Sequence, residues 1–134
     1  MVEITDKEIR VEEILNSSID KNCGAVVSFT GVVRRENKGK EVKEILYEAY
    51  DKMALKVLKN IEEEAIKKFG VERVQIIHRK GVLKPGEVSL LIAVSSKHRQ
   101  EAFFACWFII EEIKKSLPIW KKEIFEDGEE WVEG

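Results

Sequence analysis

Apolar and polar positions follow two rhythms along this chain, and the changes between them predict its elements. Val2 to Thr5 reads as a short strand and Val11 to Asn16 as a short helix. Gly24 to Arg34 (GAVVSFTGVVR) is β-branched and almost continuously apolar, which predicts a central strand. Arg35 to Glu41 is a polar connection containing Gly39, expected to be mobile. Val42 to Tyr50 returns as a second strand, giving a hairpin with a long loop. Asp51 is placed to cap the helix that follows. Ala54, Leu58, Ile61, Ala65 and Phe69 recur at helical spacing as its buried stripe, and Gly70 ends it.

Val74 to Arg79 and Val88 to Ser95 read as strands joined through Gly81 and a turn at Pro85-Gly86. Ser96 opens a second long helix, which runs to about Ser116 and is ended by Pro118. It is apolar nearly all round (Ala102, Phe103, Phe104, Ala105, Trp107, Phe108, Ile109, Ile110), so more than one face is covered: a sheet on one side and a second subunit on the other. The tail, Ile119 to Val132, reads as two short extended pieces around Asp127-Gly128. No repeat, linker or low-complexity segment interrupts residues 1–134, which read as one domain. The fold class is α+β, a mostly antiparallel sheet with two main helices.

Composition narrows the function more than the fold. A chain of 134 residues can bury a core without staples. Its net charge of −2 supplies no global field for nucleic acid, so any bound anion must be held by a local basic cluster. Cys23 and Cys106 stand far apart and in no metal-ligand spacing. Cys106 lies in an apolar run and reads as a buried, inert thiol, while Cys23 can be exposed or packed. A disulfide framework is not expected, which suits a reducing cytoplasm. No signal peptide is recognisable, and no apolar run is long enough to span a bilayer.

Basic residues cluster at Arg34-Arg35, His78-Arg79, His98-Arg99, and Lys114 with Lys121-Lys122. With Ser95 or Ser96 as N-cap, His98 and Arg99 fall in the first turn of the second long helix. Cations there oppose the helix dipole, and a bound anion would reverse that cost. The alternative is that both side chains reach into solvent. Arg34 and Arg35, as neighbours on a strand, cannot both face one pocket, and the pattern alone does not choose between them. His78 reads as a structural histidine. Glu48, between two tyrosines, reads as a strand-face carboxylate paired with a base. Lys114 suits a helix C-terminus without further purpose, yet a chain reversal at Pro118 would bring it to Lys121. Two ammonium groups held close lower each other's pKa, freeing one as base or nucleophile. On an extended segment Lys121 and Glu123 share a face and Lys122 points away.

The runs GAVVSFTGVVRR, LYEAYDKMA, HRKGVLKPGEVSLLIAVSSKHRQEAF, IKKSLPIWKKE and DGEEWVE, in that order, resemble the large, catalytic subunit of molybdopterin synthase from Gly24 onward. The resemblance implies an α/β hammerhead-type fold. It also implies an activity: conversion of cyclic pyranopterin monophosphate (precursor Z) into molybdopterin by installing two dithiolene sulfurs. The sulfur donor would be a small ubiquitin-like carrier subunit bearing a thiocarboxylate on its C-terminal Gly-Gly. Two large subunits would form the centre of a heterotetramer, with a carrier at each end. By motif, Lys114 and Lys121 correspond to the family's catalytic lysines, and Arg34, His98 and Arg99 to its anion pocket. No metal and no cofactor are expected, and because a thiocarboxylate is already a sulfur nucleophile no catalytic cysteine is required. The expectation is that Arg34, His98 and Arg99 grip the pterin phosphate. Lys121 would stabilise or protonate the reacting centre, and Lys114 would handle the thiocarboxylate or a transient adduct.

In some relatives a basic residue shortly after the WVE segment reaches a neighbouring subunit's site; here the sequence ends at Gly134, which leaves open what crosses a dimer interface. Two rivals remain at this point. A non-catalytic phosphate-ligand-binding regulatory module would use the same pocket with no need for paired lysines. An RNA-binding module is opposed by the acidic charge balance and the lack of an exposed aromatic strand pattern.

Overall fold

The structure, a computed structural model, describes residues 1–132; Glu133, which closes the DGEEWVE block, and Gly134 lie outside the described residues. The elements in order are β1 (Val2–Thr5), α1 (Val11–Ser18), β2 (Ala25–Val32), β3 (Glu36–Asn37), β4 (Lys40–Ala49), α2 (Asp51–Phe69), β5 (Arg73–Arg79), β6 (Gly81–Leu83), β7 (Val88–Ser96), α3 (Arg99–Ser116), β8 (Ile119–Phe125) and β9 (Gly128–Val132). They form the expected mixed α+β fold with two main helices. The strands make two sheets, antiparallel except for the β1–β5 pair.

The first sheet has the order β1-β5-β7-β2. Its strands alternate as period-2 geometry requires. Val74, Ile76, Ile92 and Val94 face α2 and α3, meeting Leu58, Ile61, Ala65, Ala105 and Ile109 in the main core. Ile77 and Leu91 face the other way and close over Ile9, beside α1. Of the expected stripe on α2, Ala54, Leu58, Ile61 and Ala65 are buried and Phe69 is half-buried, and Gly70 ends the helix in the left-handed region at φ 68°. Leu58 is fully buried, and burial of such a side chain contributes about 1.5–3 kcal/mol.

The second sheet has the order β3-β4-β8-β9, with β6 also paired to β4, and encloses a smaller core of Val33, Val42, Ile45, Leu83 and Phe125. β5, β6 and β7 follow one another closely, so β6, lying on β4, ties the two sheets together.

Four expectations are corrected. First, β2 is an edge strand, not a central one: it pairs only with β7. Ser28 and Thr30 are its exposed beats between Val27, Phe29 and Gly31. Second, β2 and β4 are not a hairpin but lie in different sheets, and the connection expected to be mobile folds into the β3–β4 hairpin. Lys38 and Gly39 take positive φ (52° and 77°), the geometry that matches a two-residue turn to strand twist. Third, Asp51 does not cap α2. Tyr50 is the N-cap without a side-chain bond, and Asp51 pairs with Lys80 instead. Fourth, neither Ser95 nor Ser96 caps α3. Both belong to β7, where Ser95 Oγ donates to the Ser18 carbonyl (2.6 Å) and Ser96 Oγ to Glu101 (3.3 Å). His98 is the N-cap and Arg99 the first helical residue.

Candidate active site

The helix C-terminus, the Pro118 corner and the two sheets meet around a cavity of about 240 Å³. Phe29 and Gly31 of β2, with Leu90 of β7, form its floor. Ile110, Ile113 and Lys114 of α3 overhang it, and Tyr47 of β4, Lys121 of β8 and Val132 of β9 close the side. The geometry follows from local rules. Lys114 is in the last turn of α3, which Pro118 prevents from continuing. The chain reverses into β8, whose inward residues are Lys121, Glu123 and Phe125, so Lys121 turns back toward Lys114.

Lys121 is half-buried. Desolvation holds its pKa below the usual lysine value, and the nearby charges of Arg34 and Lys114 push the same way; the buried carboxylate of Glu123 opposes them. Arg34 follows β2 and is exposed close enough to act on Lys121, while Arg35 lines a separate shallow opening with Glu36 and Glu41. Glu123 is 4% exposed and accepts a hydrogen bond from the Asn37 amide. Lys122, on the other face, stacks over Trp131 and pairs with Glu129. Glu48, expected to pair with a base, makes no ion pair among the described residues; it lies opposite Trp120.

Three polar residues at the cavity were not singled out for function from the sequence: Tyr47, His78 and Ser89. Register explains Ser89. Gly31 pairs with Leu90 and Val32 with Val88, so Ser89 is the extra residue of a bulge, and its Oγ donates to the Gly31 carbonyl (3.3 Å). A hydrogen bond to Ser89 partly offsets the burial that raises the Tyr47 pKa. His78 has the parity of Val74 and Ile76 along β5, a signal that would have placed it under α3 had the strand's facing been known.

His98 and Arg99 lie elsewhere. They line an open groove at the N-terminal end of α3, with Gly24, Lys97 and Glu101. The helix rise puts Arg99 roughly 22 Å from Lys114, so one copy of the chain does not bring Arg34, His98 and Arg99 around one phosphate. Between these two ends α3 presents Phe103, Phe104 and Trp107 at 59%, 55% and 66% exposure, a contiguous aromatic face bordered by Val27 and Phe29 of the β2 edge. Within one copy α3 is covered by the first sheet and by α2, and this aromatic face is left open. Cys106 is buried, and desolvation pushes its thiol up to about 11, which leaves it protonated and unreactive. Cys23 is partly exposed. Among the described residues no group of three His, Cys, Asp or Glu could hold a metal ion, and no helix is long and apolar enough to cross a membrane.

Comparison with known proteins gives one answer. The molybdopterin synthase catalytic subunit of Pyrococcus abyssi is 43% identical over 128 residues, covering 96% of this chain and 86% of the relative. That of Bacillus subtilis is 44% identical over 130 residues, covering 97% and 83%. The crystal structure of molybdopterin synthase from Staphylococcus aureus superposes with a TM-score of 0.93 at 43% identity, covering 98% of this chain and 96% of that one. A family model described as the MoaE protein matches residues 4–116, and on these matches the chain belongs to the MoaE protein family.

Proposed function

We propose that this chain is the catalytic subunit of a molybdopterin synthase, moving sulfur from the C-terminal thiocarboxylate of a small carrier protein onto cyclic pyranopterin monophosphate. The observation that carries the reading is the convergence of Lys114 and Lys121 on one cavity with Arg34 at its approach. A cavity of about 240 Å³ admits a side-chain-free Gly-Gly tail and excludes the body of a folded carrier. The sulfur nucleophile arrives with that tail, so the site needs cations in place of a cysteine. Arg34 holds phosphate, and the lysines steady negative charge as it develops on the substrate. Attack of the thiocarboxylate sulfur on a substrate carbon forms a C–S bond as that carbon's C–O bond breaks. The oxygen leaves with its electron pair and takes up a proton, and an acyl–sulfur link is left between carrier and pterin. Water then cleaves it, leaving sulfur on the pterin and a carboxylate on the carrier. Lys121, its ammonium form disfavoured by burial, is the proton-handling group, and Lys114 at the rim meets the carrier's thiocarboxylate.

The dimer completes the site. Two copies packed through the Phe103–Phe104–Trp107 face, with their α3 helices antiparallel, bring His98 and Arg99 of one copy to the lysine cavity of the other. This keeps both residues in the phosphate pocket across the interface. Cytoplasmic location fits the free thiols of Cys23 and Cys106.

The test is reconstitution with precursor Z and a thiocarboxylated carrier, followed by mass spectrometry. Molybdopterin, lost with Lys114→Ala or Lys121→Ala, supports the reading. Tight pterin and carrier binding without product would make the chain a phosphate-ligand-binding module instead.

A further inference from the structure

The cavity is cationic at its approach, yet its floor carries a group of the opposite character. His78 is 7% exposed, and its ring lines the cavity while meeting Tyr47 edge-on, with ring centroids 5.4 Å apart. Nδ1 is 2.9 Å from the carbonyl oxygen of Arg79. A carbonyl only accepts, so Nδ1 carries the proton and Nε2 holds an open lone pair. Burial disfavours the imidazolium and holds the pKa below the ordinary histidine value, against the pull of the Arg79 carbonyl. Among the described residues Nε2 has no hydrogen-bond partner.

The other polar groups around the cavity do not duplicate this one. As ammonium groups Lys114 and Lys121 only donate, and a neutral amine or the hydroxyls of Tyr47 and Ser89 both donate and accept. Nε2 is thus the one side-chain atom among the described lining residues that accepts without donating. A site built only for phosphate has no use for it, since a fixed lone pair repels an anion. Buried structural histidines ordinarily satisfy both ring nitrogens, because an unpaired polar atom costs about 1–3 kcal/mol. Here the second nitrogen is left facing space that a ligand can fill.

We propose that His78 contacts the substrate directly and determines specificity, its Nε2 accepting a hydrogen bond from an N–H donor of the pterin ring system while Arg34, with His98 and Arg99 of the second copy, holds the phosphate. The inference rests on the proposed function and assigns the cavity floor to the heterocycle. A ligand with phosphate but no ring donor gains nothing from His78. Ser89, aimed inward by the bulge, donates to the Gly31 carbonyl and lines the cavity with Tyr47, whose ring edge the imidazole meets.

The experiment compares His78→Phe and His78→Gln with the parent protein, measuring Kd by calorimetry for cyclic pyranopterin monophosphate and, separately, for inorganic phosphate. Phenylalanine keeps the ring and its contact with Tyr47 but removes the acceptor; glutamine restores one. Loss of one buried hydrogen bond predicts that His78→Phe weakens pterin binding about tenfold and leaves phosphate binding unchanged, with His78→Gln recovering most of the loss. Pterin binding by His78→Phe within about twofold of the parent, or equal weakening of both ligands, overturns the proposal. Should His78→Phe not fold, histidine-labelled parent protein decides by ¹⁵N NMR. The Nε2 resonance is expected to move with the pterin and not with phosphate, and an unmoved resonance sinks the idea. Parent protein that makes molybdopterin while His78→Phe binds pterin normally rejects this inference alone. Parent protein that makes no molybdopterin rejects the proposed function itself.

Discussion

Lys114 and Lys121 sit on opposite sides of the Pro118 corner, one in the last turn of α3 and one on β8, and line the same cavity. Lys114 is exposed at the rim whereas Lys121 is half-buried and desolvated, which separates their expected roles. Replacing either by alanine is expected to lower single-turnover sulfur transfer by about 10²- to 10³-fold, the usual effect of removing one stabilising group aimed at developing charge. Pterin affinity should change far less with Lys121→Ala, because Arg34 remains. Equal loss of binding and turnover in Lys121→Ala would assign that lysine to ground-state binding.

The charges around Lys121 give the pH dependence a definite sign. The rate should rise with pH through the lowered Lys121 pKa if its free amine acts. Glu123 raises that pKa, so Glu123→Gln is expected to shift the rising limb of kcat toward lower pH. Arg34 lowers it, so Arg34→Gln should shift the limb toward higher pH. Glutamine at 123 keeps an acceptor for the Asn37 amide, which protects the local fold. The check is a pair of kcat–pH profiles at saturating substrate; shifts in the same direction would remove Lys121 from the titrating step.

The same residues mark the limits of what a sequence displays. α2 was legible because its stripe is long, periodic and ended by Gly70, whose left-handed φ only glycine adopts freely. Pro118 ends α3 and made a reversal that joins Lys114 to Lys121 one possibility, but it was the family motifs, not the spacing, that singled out the pair. Strand partners were not, since β2 finds β7 across more than fifty intervening residues and nothing local announces it. The capping serines failed for a tertiary reason: Ser95 is held by the Ser18 carbonyl of α1, which competes with the local cap. Ser89 faces the cavity only because of a bulge, and His78 only because its strand runs under α3.

Separation of His98 and Arg99 from the lysine cavity makes a prediction about the dimer. A His98→Ala/Arg99→Ala protein and a Lys121→Ala protein should each be nearly inactive. Co-refolded in equal amounts, they should regain about a quarter of parent activity, because half of randomly mixed twofold dimers are heterodimers with one intact site each. No recovery above the separate proteins would show that His98 and Arg99 do not serve the Lys121 cavity of the other copy. Trp107→Glu, which sets a charge in the aromatic face, should yield a monomer on size exclusion and abolish that recovery.

Gly24 holds the His98 segment in place through contact rather than backbone freedom. A Cβ at position 24 would stand 2.5 Å from the Lys97 carbonyl oxygen, and the Gly24 N–H already donates to the Ser96 carbonyl (3.0 Å). An alanine therefore has to push the 96–98 segment, and with it the N-cap of α3, away from β2. The expected cost is about 1–3 kcal/mol, as for other small-to-large changes in packed sites. Gly31 provides the contrast. A Cβ there meets Leu90, Phe29 and Ser89 at 3.4–3.5 Å, which is ordinary contact, and alanine also loses less backbone entropy on folding than glycine. Gly31→Ala is thus expected to leave stability within about 1 kcal/mol of the parent. Its added methyl lies at the cavity floor and should weaken pterin binding. Denaturant midpoints for the two variants, with pterin affinity measured alongside, read both effects. Equal stability of Gly24→Ala and the parent would show that the Lys97 loop yields without cost, and that Gly24 does not set the position of His98.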